Sequence, residues 1–220
     1  MIDDKLQNQS PKRTLTQWLF NPFQFIAGGS SLLLGVLIIL ITAYIGSLSN
    51  THFDGVLDVH LGKDVPLWLF LAEVLIDWLC LSIVLLITAF IVSQSSFRII
   101  DIFGTQALAR APYLLAALLA LPKGAARFGE YLTAKAMNKP VTVELQNTDV
   151  LFFAVMTIVT LLMLIWMVVL MYRAYSVSCN LKGRKALISF VVSLVLAEAL
   201  SKIAIWQLFV QTGISICGQD

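Results

Sequence analysis

The sequence predicts an all-α integral membrane protein built as a five-helix transmembrane bundle. Four apolar runs carry this prediction, because each exceeds the roughly 20 residues that a helix needs to cross a bilayer. Charged residues make up 13% of the chain, against about 25% in soluble domains. No segment between the runs is long enough for a soluble domain with its own core. The predicted helices, including a shorter third one, cover residues 26–48, 65–92, 105–122, 150–172 and 186–214.

The segment before the first run is polar and mixed in charge, and we expect residues 1–25 to be a cytoplasmic amino-terminal segment. The run at 26–48 is longer than the 7–15 apolar residues of a signal-peptide core, so we expect it to remain as a helix. A single transmembrane domain is then expected over 26–216. Within it, 123–149 is expected to be a non-cytoplasmic loop.

The third helix is the ambiguous one, because only residues 111–121 are continuously uncharged. A run of this length is typical of a re-entrant or interfacial segment. Extended back to residue 105 it becomes long enough to cross, but then it includes Arg110, which would have to snorkel from the helix end. The division of Lys and Arg between the two sides is the same for both alternatives. The short basic loop after residue 172 favours five crossings, with the amino terminus cytoplasmic and the carboxyl terminus outside.

Basic side chains are expected at the cytoplasmic headgroups, where anionic lipid attracts them. Residues 93–109 are interpreted as an interfacial turn and half-helix on this side. Membrane lipids are accordingly the first expected partners. The candidate interfacial residues are Arg98, Arg110, Lys182, Arg184 and Lys185.

Four ionisable residues inside the long runs are the most distinctive chemical feature: Glu73, Asp77, Glu198 and Lys202. A charge at the bilayer centre costs about 2.5–3.5 kcal/mol, so such groups usually face a bundle interior and find partners. Glu73 and Asp77 share a helix face, and so do Glu198 and Lys202. Asp77 and Lys202 also lie at similar depth, about 18 Å from the outer side, which suggests an Asp77–Lys202 pair. Either a proton or ion relay or a structural polar cluster would use these groups.

Two loops carry further hypotheses. Residues 49–64 contain His52, Asp54, Asp58 and His60, which could bind a metal, but their spacing matches no ligand pattern, so we expect a solvated acidic loop without a metal. Residues 123–138 show apolar residues at helical spacing. This predicts an amphipathic helix, either on the membrane surface or packed against the other helices.

No motif of an enzyme is present: there is no glycine-rich phosphate loop, no HExxH and no GxSxG. We therefore expect no enzymatic activity, no cofactor and no nucleic-acid partner. The three cysteines show no paired spacing that would indicate a disulfide or metal site. Small residues at four-residue spacing predict close helix packing, either within the bundle or in a homo-oligomer or a complex with other membrane proteins. They are Ser31 and Gly35, and Ser193, Ala197 and Ser201.

Two stretches resemble the Yip family, polytopic membrane proteins named for interaction with Ypt/Rab GTPases. Residues 97–122 show the family's aromatic–basic start, a following glycine and a proline that opens a short apolar helix. Residues 180–196 resemble the basic entry to its last helix, although SQSS at 93–96 replaces a glycine-rich turn. The matching residues are Asn21, Pro22, Phe23, Phe97, Arg98, Gly104, Pro112 and Leu114.

The resemblance implies five helices with a cytoplasmic amino terminus, and a compact prokaryotic member in a bacterial inner membrane. Eukaryotic relatives act in vesicle traffic and membrane shaping. The chain lacks their long cytoplasmic amino-terminal domain, which argues against a GTPase partner. No catalytic or ligand-binding residue is implied. We expect a structural, membrane-organising or partner-binding role; the alternative is a small transporter or channel subunit that uses the intramembrane carboxylates and Lys202.

Overall fold

Helices make up most of the chain that the computed structural model describes, residues 14–140 and 143–213. The predictions for residues 1–13 and 214–216, and the cysteine at 217, lie outside this part. A short 3-10 helix at Pro22–Gln24 follows the first helix. The elements are α1 Leu15–Phe20, α2 Gly28–Ser49, β1 Thr51–His52, β2 His60–Leu61, α3 Leu67–Val92, α4 Ile99–Ala109, α5 Ala111–Ala120, α6 Lys123–Ala136, α7 Asn147–Ser178 and α8 Gly183–Thr212.

Five helical segments are long and apolar enough to cross a membrane: α2, α3, α4 with α5, α7 and α8. The all-α multi-pass membrane fold is thus confirmed. Consecutive spans run in opposite directions. We call the end where α2 finishes and α3 begins the loop face, and the other end, which carries Arg98, Lys182, Arg184 and Lys185, the basic face.

Helix ends differ from the predicted runs mainly in α7. It covers 32 residues rather than 150–172, and at 1.5 Å per residue it is about 48 Å long. The apolar core of a bilayer is only about 30 Å thick. Hydropathy detects the apolar middle of this helix, whereas its polar ends, with Asp149 and Arg173, continue the same backbone hydrogen bonding.

The third span differs from the prediction for residues 93–109. It runs over Ile99–Ala120 and is interrupted at Arg110, so residues 99–109 are its first half and not an interfacial half-helix. Pro112 accounts for the break, because proline has no N–H to donate and its ring clashes with the carbonyl four residues earlier. Within an apolar 18-residue stretch of each helix, 67% of the residues are buried in this span, against 11% in α7. The third span therefore lies at the centre of the bundle, and Arg110 is only 2% exposed instead of reaching the headgroups.

Small residues let the helices approach closely within the bundle. On α2, Ser31 and Gly35 are buried against α4, and a Cβ atom at Gly35 would overlap the backbone of Ala107 and Leu108. On α8, the three small residues predicted for packing are all buried, and α8 packs on α3. A hydroxyl pair joins these two helices, since Thr88 and Ser193 lie 2.7 Å apart. The small-residue pattern therefore serves internal packing.

The predicted amphipathic helix is present as α6 and packs against α7. Arg127 donates two hydrogen bonds to Asp149, at 2.9 and 2.6 Å. The rings of Phe128 and Phe153 meet edge-on with centroids 5.1 Å apart. The segment is thus a helix packed on α7, and its place relative to the membrane surface stays a prediction.

Candidate functional site

The loop between α2 and α3 folds into the bundle and is not the solvated acidic loop that its composition predicted. Phe53 and Val56 are fully buried, at 0% exposure. Around them, β1 and β2 pair antiparallel, with His52 opposite His60. Phe53 packs on Tyr113 of α5 with ring centroids 4.9 Å apart. Burial of these two apolar side chains draws the polar part of the loop down between the helices.

Glu73 of α3 holds the start of this loop. Its carboxylate lies 2.8 Å from Nδ1 of His52 and accepts the backbone N–H of Phe53 at 3.2 Å. The other ring nitrogen of His52, Nε2, lies 2.9 Å from the backbone oxygen of Lys63. Burial lowers the pKa of His52, but the hydrogen bond and charge of Glu73, with the Lys63 carbonyl, outweigh it and raise that pKa above its usual value.

The middle of the loop is held by α5 and α8. Glu198 accepts the backbone N–H of Leu57 at 2.8 Å. The hydroxyl of Tyr113 donates to the carbonyl of Val56 at 3.1 Å. These bonds satisfy loop backbone groups that burial has removed from water, where an unmade hydrogen bond costs about 1–3 kcal/mol. We call the set of bonds from Glu73, Tyr113, Glu198 and Lys202 to this loop the loop clamp.

Lys202 completes the loop clamp at its exposed edge. Its Nζ donates to Asp58 at 2.5 Å and lies 3.8 Å from both Asp54 and Glu198. The expected Glu198–Lys202 contact is thus present. Burial favours the neutral form of Asp58, but the hydrogen bond and charge of Lys202 dominate and lower the pKa of this carboxyl.

The predicted Asp77–Lys202 pair is wrong. Lys202 is 43% exposed and extends toward the loop face, while Asp77 is 0% exposed and points into the bundle. Long basic side chains bury their stems and place their charge toward water. Equal depth along two antiparallel helices was insufficient evidence for a contact, because the inserted loop brings Asp58 closer to Lys202.

Asp54, Asp58 and His60 form the only group with metal-ligand spacing in the described residues, with ligand atoms within 4.8 Å of one another. His60 Nδ1 lies 3.4 Å from Asp54 and 3.6 Å from Asp58. The ammonium group of Lys202 contacts the same two carboxylates and supplies their positive counter-charge. Lys202 of the loop clamp therefore holds the two carboxylates of this cluster.

Asp77 and Arg110 are buried charges that neither the clamp nor the Arg127–Asp149 pair uses. Both carboxylate oxygens of Asp77 and all three guanidinium nitrogens of Arg110 lack a hydrogen-bond partner among the described residues. The two groups interact electrostatically without a direct ion pair. Sequence reasoning identified Asp77 but placed Arg110 at the interface. An arginine two residues before a proline, inside an otherwise apolar stretch, was the available signal for a charge at a helix break.

Two small cavities lie among the buried polar groups, one beside His52 and Glu73 and one beside Arg110. One of about 20 Å³ is lined by His52, His60 and Glu73 among others, and opens toward the loop face. The second, of about 10 Å³, is lined by Arg110, Tyr113 and Thr42 with two apolar residues. Each volume corresponds to about one water molecule. Neither is large enough for an organic ligand.

The basic face gathers four of the five candidate interfacial residues. Arg98, Lys182, Arg184 and Lys185 are all exposed there, at the ends where α3 finishes and α4 and α8 begin. Arg98 pairs with Asp101 at 2.8 Å, and the hydrogen bond and charge of Asp101 raise the pKa of Arg98. The fifth candidate, Arg110, belongs to the buried site.

Comparison with known proteins finds no similarity on which a family assignment could rest. No protein-family model matches the chain, and neither a curated protein nor a solved structure matches it.

Proposed function

We propose that this protein is a Yip-type organiser of the membrane, with a structural or partner-binding role and no path for ions across the bundle. The observation that carries the proposal is the loop clamp. Glu73, Glu198 and Lys202, which are three of the four ionisable residues in the long runs, bind the loop at one face. Groups that line a transport path face a water-filled passage, whereas these three are bound to the protein itself.

The outward surface supports the same role. Apolar side chains cover the lipid-facing sides of α2, α7 and α8, and most side chains in the first half of α7 are exposed. We propose that the basic face lies in the cytoplasm of a bacterial inner membrane, because Lys and Arg favour that side. The loop face and the carboxyl terminus are then outside.

A flux measurement tests the proposal. Purified protein is reconstituted in liposomes with an entrapped pH indicator, and an imposed potential drives proton entry. We expect the rate to equal that of protein-free liposomes, and Asp77→Asn to leave it unchanged. Proton or cation flux that Asp77→Asn abolishes would refute the organiser role.

Orientation is tested separately with an impermeant thiol reagent, in a background in which the native cysteines are replaced by serine. Asp64→Cys lies at the exposed edge of the loop face, and Lys182→Cys lies on the basic face. We expect Asp64→Cys to be labelled in intact spheroplasts and Lys182→Cys only after the membrane is opened. The reverse pattern would place the basic face outside.

A second candidate function is a small transporter or channel subunit. The observation that favours it is the broken third span, whose Arg110 lies near Asp77 of α3 while neither side chain has a hydrogen-bond partner in the described residues. Discontinuous helices frequently form the binding sites of transporters near the bilayer centre. The flux measurement separates the two functions, since only the transporter predicts transport that depends on Asp77.

A further inference from the structure

Asp77 and Arg110 are charged side chains, at least nine-tenths buried, that the protein does not satisfy. Asp77 of α3 is 0% exposed, and neither of its oxygens is within hydrogen-bond geometry of a donor in the described residues. Ser201 of α8 lies near enough to interact with Asp77, but its hydroxyl donates to the carbonyl of Glu198 at 3.1 Å. A buried carboxylate without a donor is strongly disfavoured, so such a group ordinarily binds a proton, a cation or water. The cavity of about 10 Å³, which Arg110 and Tyr113 line and Asp77 does not, has room for about one water. Arg110 already supplies a positive charge near Asp77, which disfavours a metal cation.

The hydrogen bonds of His52 indicate an extra proton on the His52–Glu73 pair. Glu73 lies one helical turn from Asp77 on α3. Nε2 of His52 faces the Lys63 carbonyl, which only accepts, so this nitrogen must carry a hydrogen. Nδ1 of His52 faces Glu73 at 2.8 Å. Either Nδ1 also carries a hydrogen, or Glu73 is protonated and donates to it. In both forms the pair holds one proton more than a neutral imidazole beside an ionised carboxylate.

This pair connects the loop face with Asp77. His52 and Glu73 line the cavity of about 20 Å³, together with the half-exposed His60. Glu73 and Asp77 are four residues apart on one face of α3, which places their Cβ atoms about 6 Å apart. Proton transfer between the two carboxyl groups would use a rotamer change of one side chain or one intervening water.

Toward the basic face, α3 offers no further charged group. After Asp77 it carries no charged residue as far as that face, and Leu81, Leu85 and Ala89 are fully buried. Along α3, charged groups therefore lead to Asp77 only from the loop face.

We propose that Asp77 and Arg110 form a proton-binding site in the bundle, supplied from the loop face through His52 and Glu73. In the step, an O–H bond forms on Asp77 with a proton from Glu73. His52 restores the proton of Glu73 and is itself reprotonated by water at the loop face. Arg110 keeps its positive charge throughout. Binding a proton gives the protein a sensor of acidity on that face, which goes beyond the organiser role and requires no transport.

Other ionisable and polar groups surround the site, and any titration there reflects all of them. Those near Asp77 are Glu73 and Cys80 on α3, Arg110 at the helix break, Tyr113 on α5, and Glu198 and Ser201 on α8. Those near His52 are Glu73, Asp54 and His60.

Infrared difference spectroscopy on the full chain in lipid nanodiscs tests the proposal. Spectra are recorded at alkaline and mildly acidic pH, and the carbonyl stretch of a buried carboxylic acid is followed. We expect a band that appears on acidification and is lost in Asp77→Asn. The matched control is Asp64→Asn, which removes an exposed carboxyl of the loop and should keep the band. Glu73→Gln should keep the band but slow its appearance after a pH jump.

Three results would overturn the proposal. The first is a spectrum in which Asp77→Asn removes no band. The second is a band of Asp77 that does not change with pH, which would show a permanently protonated carboxyl closed to exchange. The third is an Asp77 band whose rate of appearance Glu73→Gln leaves unaltered, which would remove the route. If Asp77→Asn does not fold, Arg110→Gln replaces it, and the pH at which the band appears should change.

Discussion

Replacing Gly35 by alanine tests the central packing of the fold, the contact between α2 and α4. A Cβ atom at Gly35 would overlap backbone atoms of Ala107 and Leu108, which cannot move aside as a flexible side chain can. Overpacking of this kind costs about 1–3 kcal/mol, and contact with backbone favours the upper end. Alanine regains about 1 kcal/mol of helix propensity over glycine. The net destabilisation is then about 2 kcal/mol.

Gly29 provides the matched control on the same helix, because a Cβ atom there would meet nothing within 4 Å. For a chain of this size, 1 kcal/mol shifts Tm by about 2–4 °C. We expect Gly35→Ala to melt about 4–8 °C below the wild type, and Gly29→Ala to melt at the wild-type temperature or slightly above it. Thermal unfolding in detergent, followed by tryptophan fluorescence at one scan rate, measures both. Equal melting temperatures for the two variants would refute the close α2–α4 contact.

Three further predictions concern the contacts at the loop face. Glu73→Gln removes a charge-assisted hydrogen bond worth about 1.5–3 kcal/mol and should lower Tm by about 3–12 °C. The control Asp64→Asn should leave Tm unchanged. Equal changes in Tm for the two variants would contradict the loop clamp. The pKa of His52 is raised, so the stabilisation that protonated His52 provides is complete below its ordinary pKa and is lost as pH rises through the raised value. Tm of the wild type should therefore fall over that pH range. His52→Gln should make the fall smaller. Arg127→Gln removes the positive charge that pairs with the buried carboxylate of Asp149 and should release α6 from α7. Limited proteolysis within α6 should then be faster than in the wild type. An unchanged cleavage rate would show that the ion pair does not hold α6.

The bundle itself was predictable because the bilayer imposes a simple rule on length and polarity. Four spans could be identified from apolar runs alone, and the short basic loop after residue 172 favoured the fifth. The small-residue spacing at Gly35 and Ser193 correctly indicated close helix packing. The ends of α7 could not be predicted from hydropathy, because a helix continues into the headgroup region with polar residues.

The candidate site was predictable only in part. Glu73, Asp77, Glu198 and Lys202 stood out because charges inside apolar runs are rare. The partners of Glu73 and Glu198 could not be predicted, because both side chains bind backbone groups of a loop whose composition is typical of a solvated loop. Arg110 was assigned to the wrong environment because its distance from the membrane surface depends on whether residues 99–109 belong to the span.

The sequence by itself determined that this protein is an all-α membrane bundle and which ionisable groups it carries into the bilayer. Apolar length and charge are properties of each segment, so they can be read without knowing what lies beside it. Only the tertiary structure decided that the loop enters the bundle, that Lys202 binds Asp58, and that Asp77 faces Arg110. These contacts join residues far apart in the chain. The first two form because burying Phe53 and Val56 moves the polar groups of the loop with them, and the third because the broken third span places Arg110 inside the bundle.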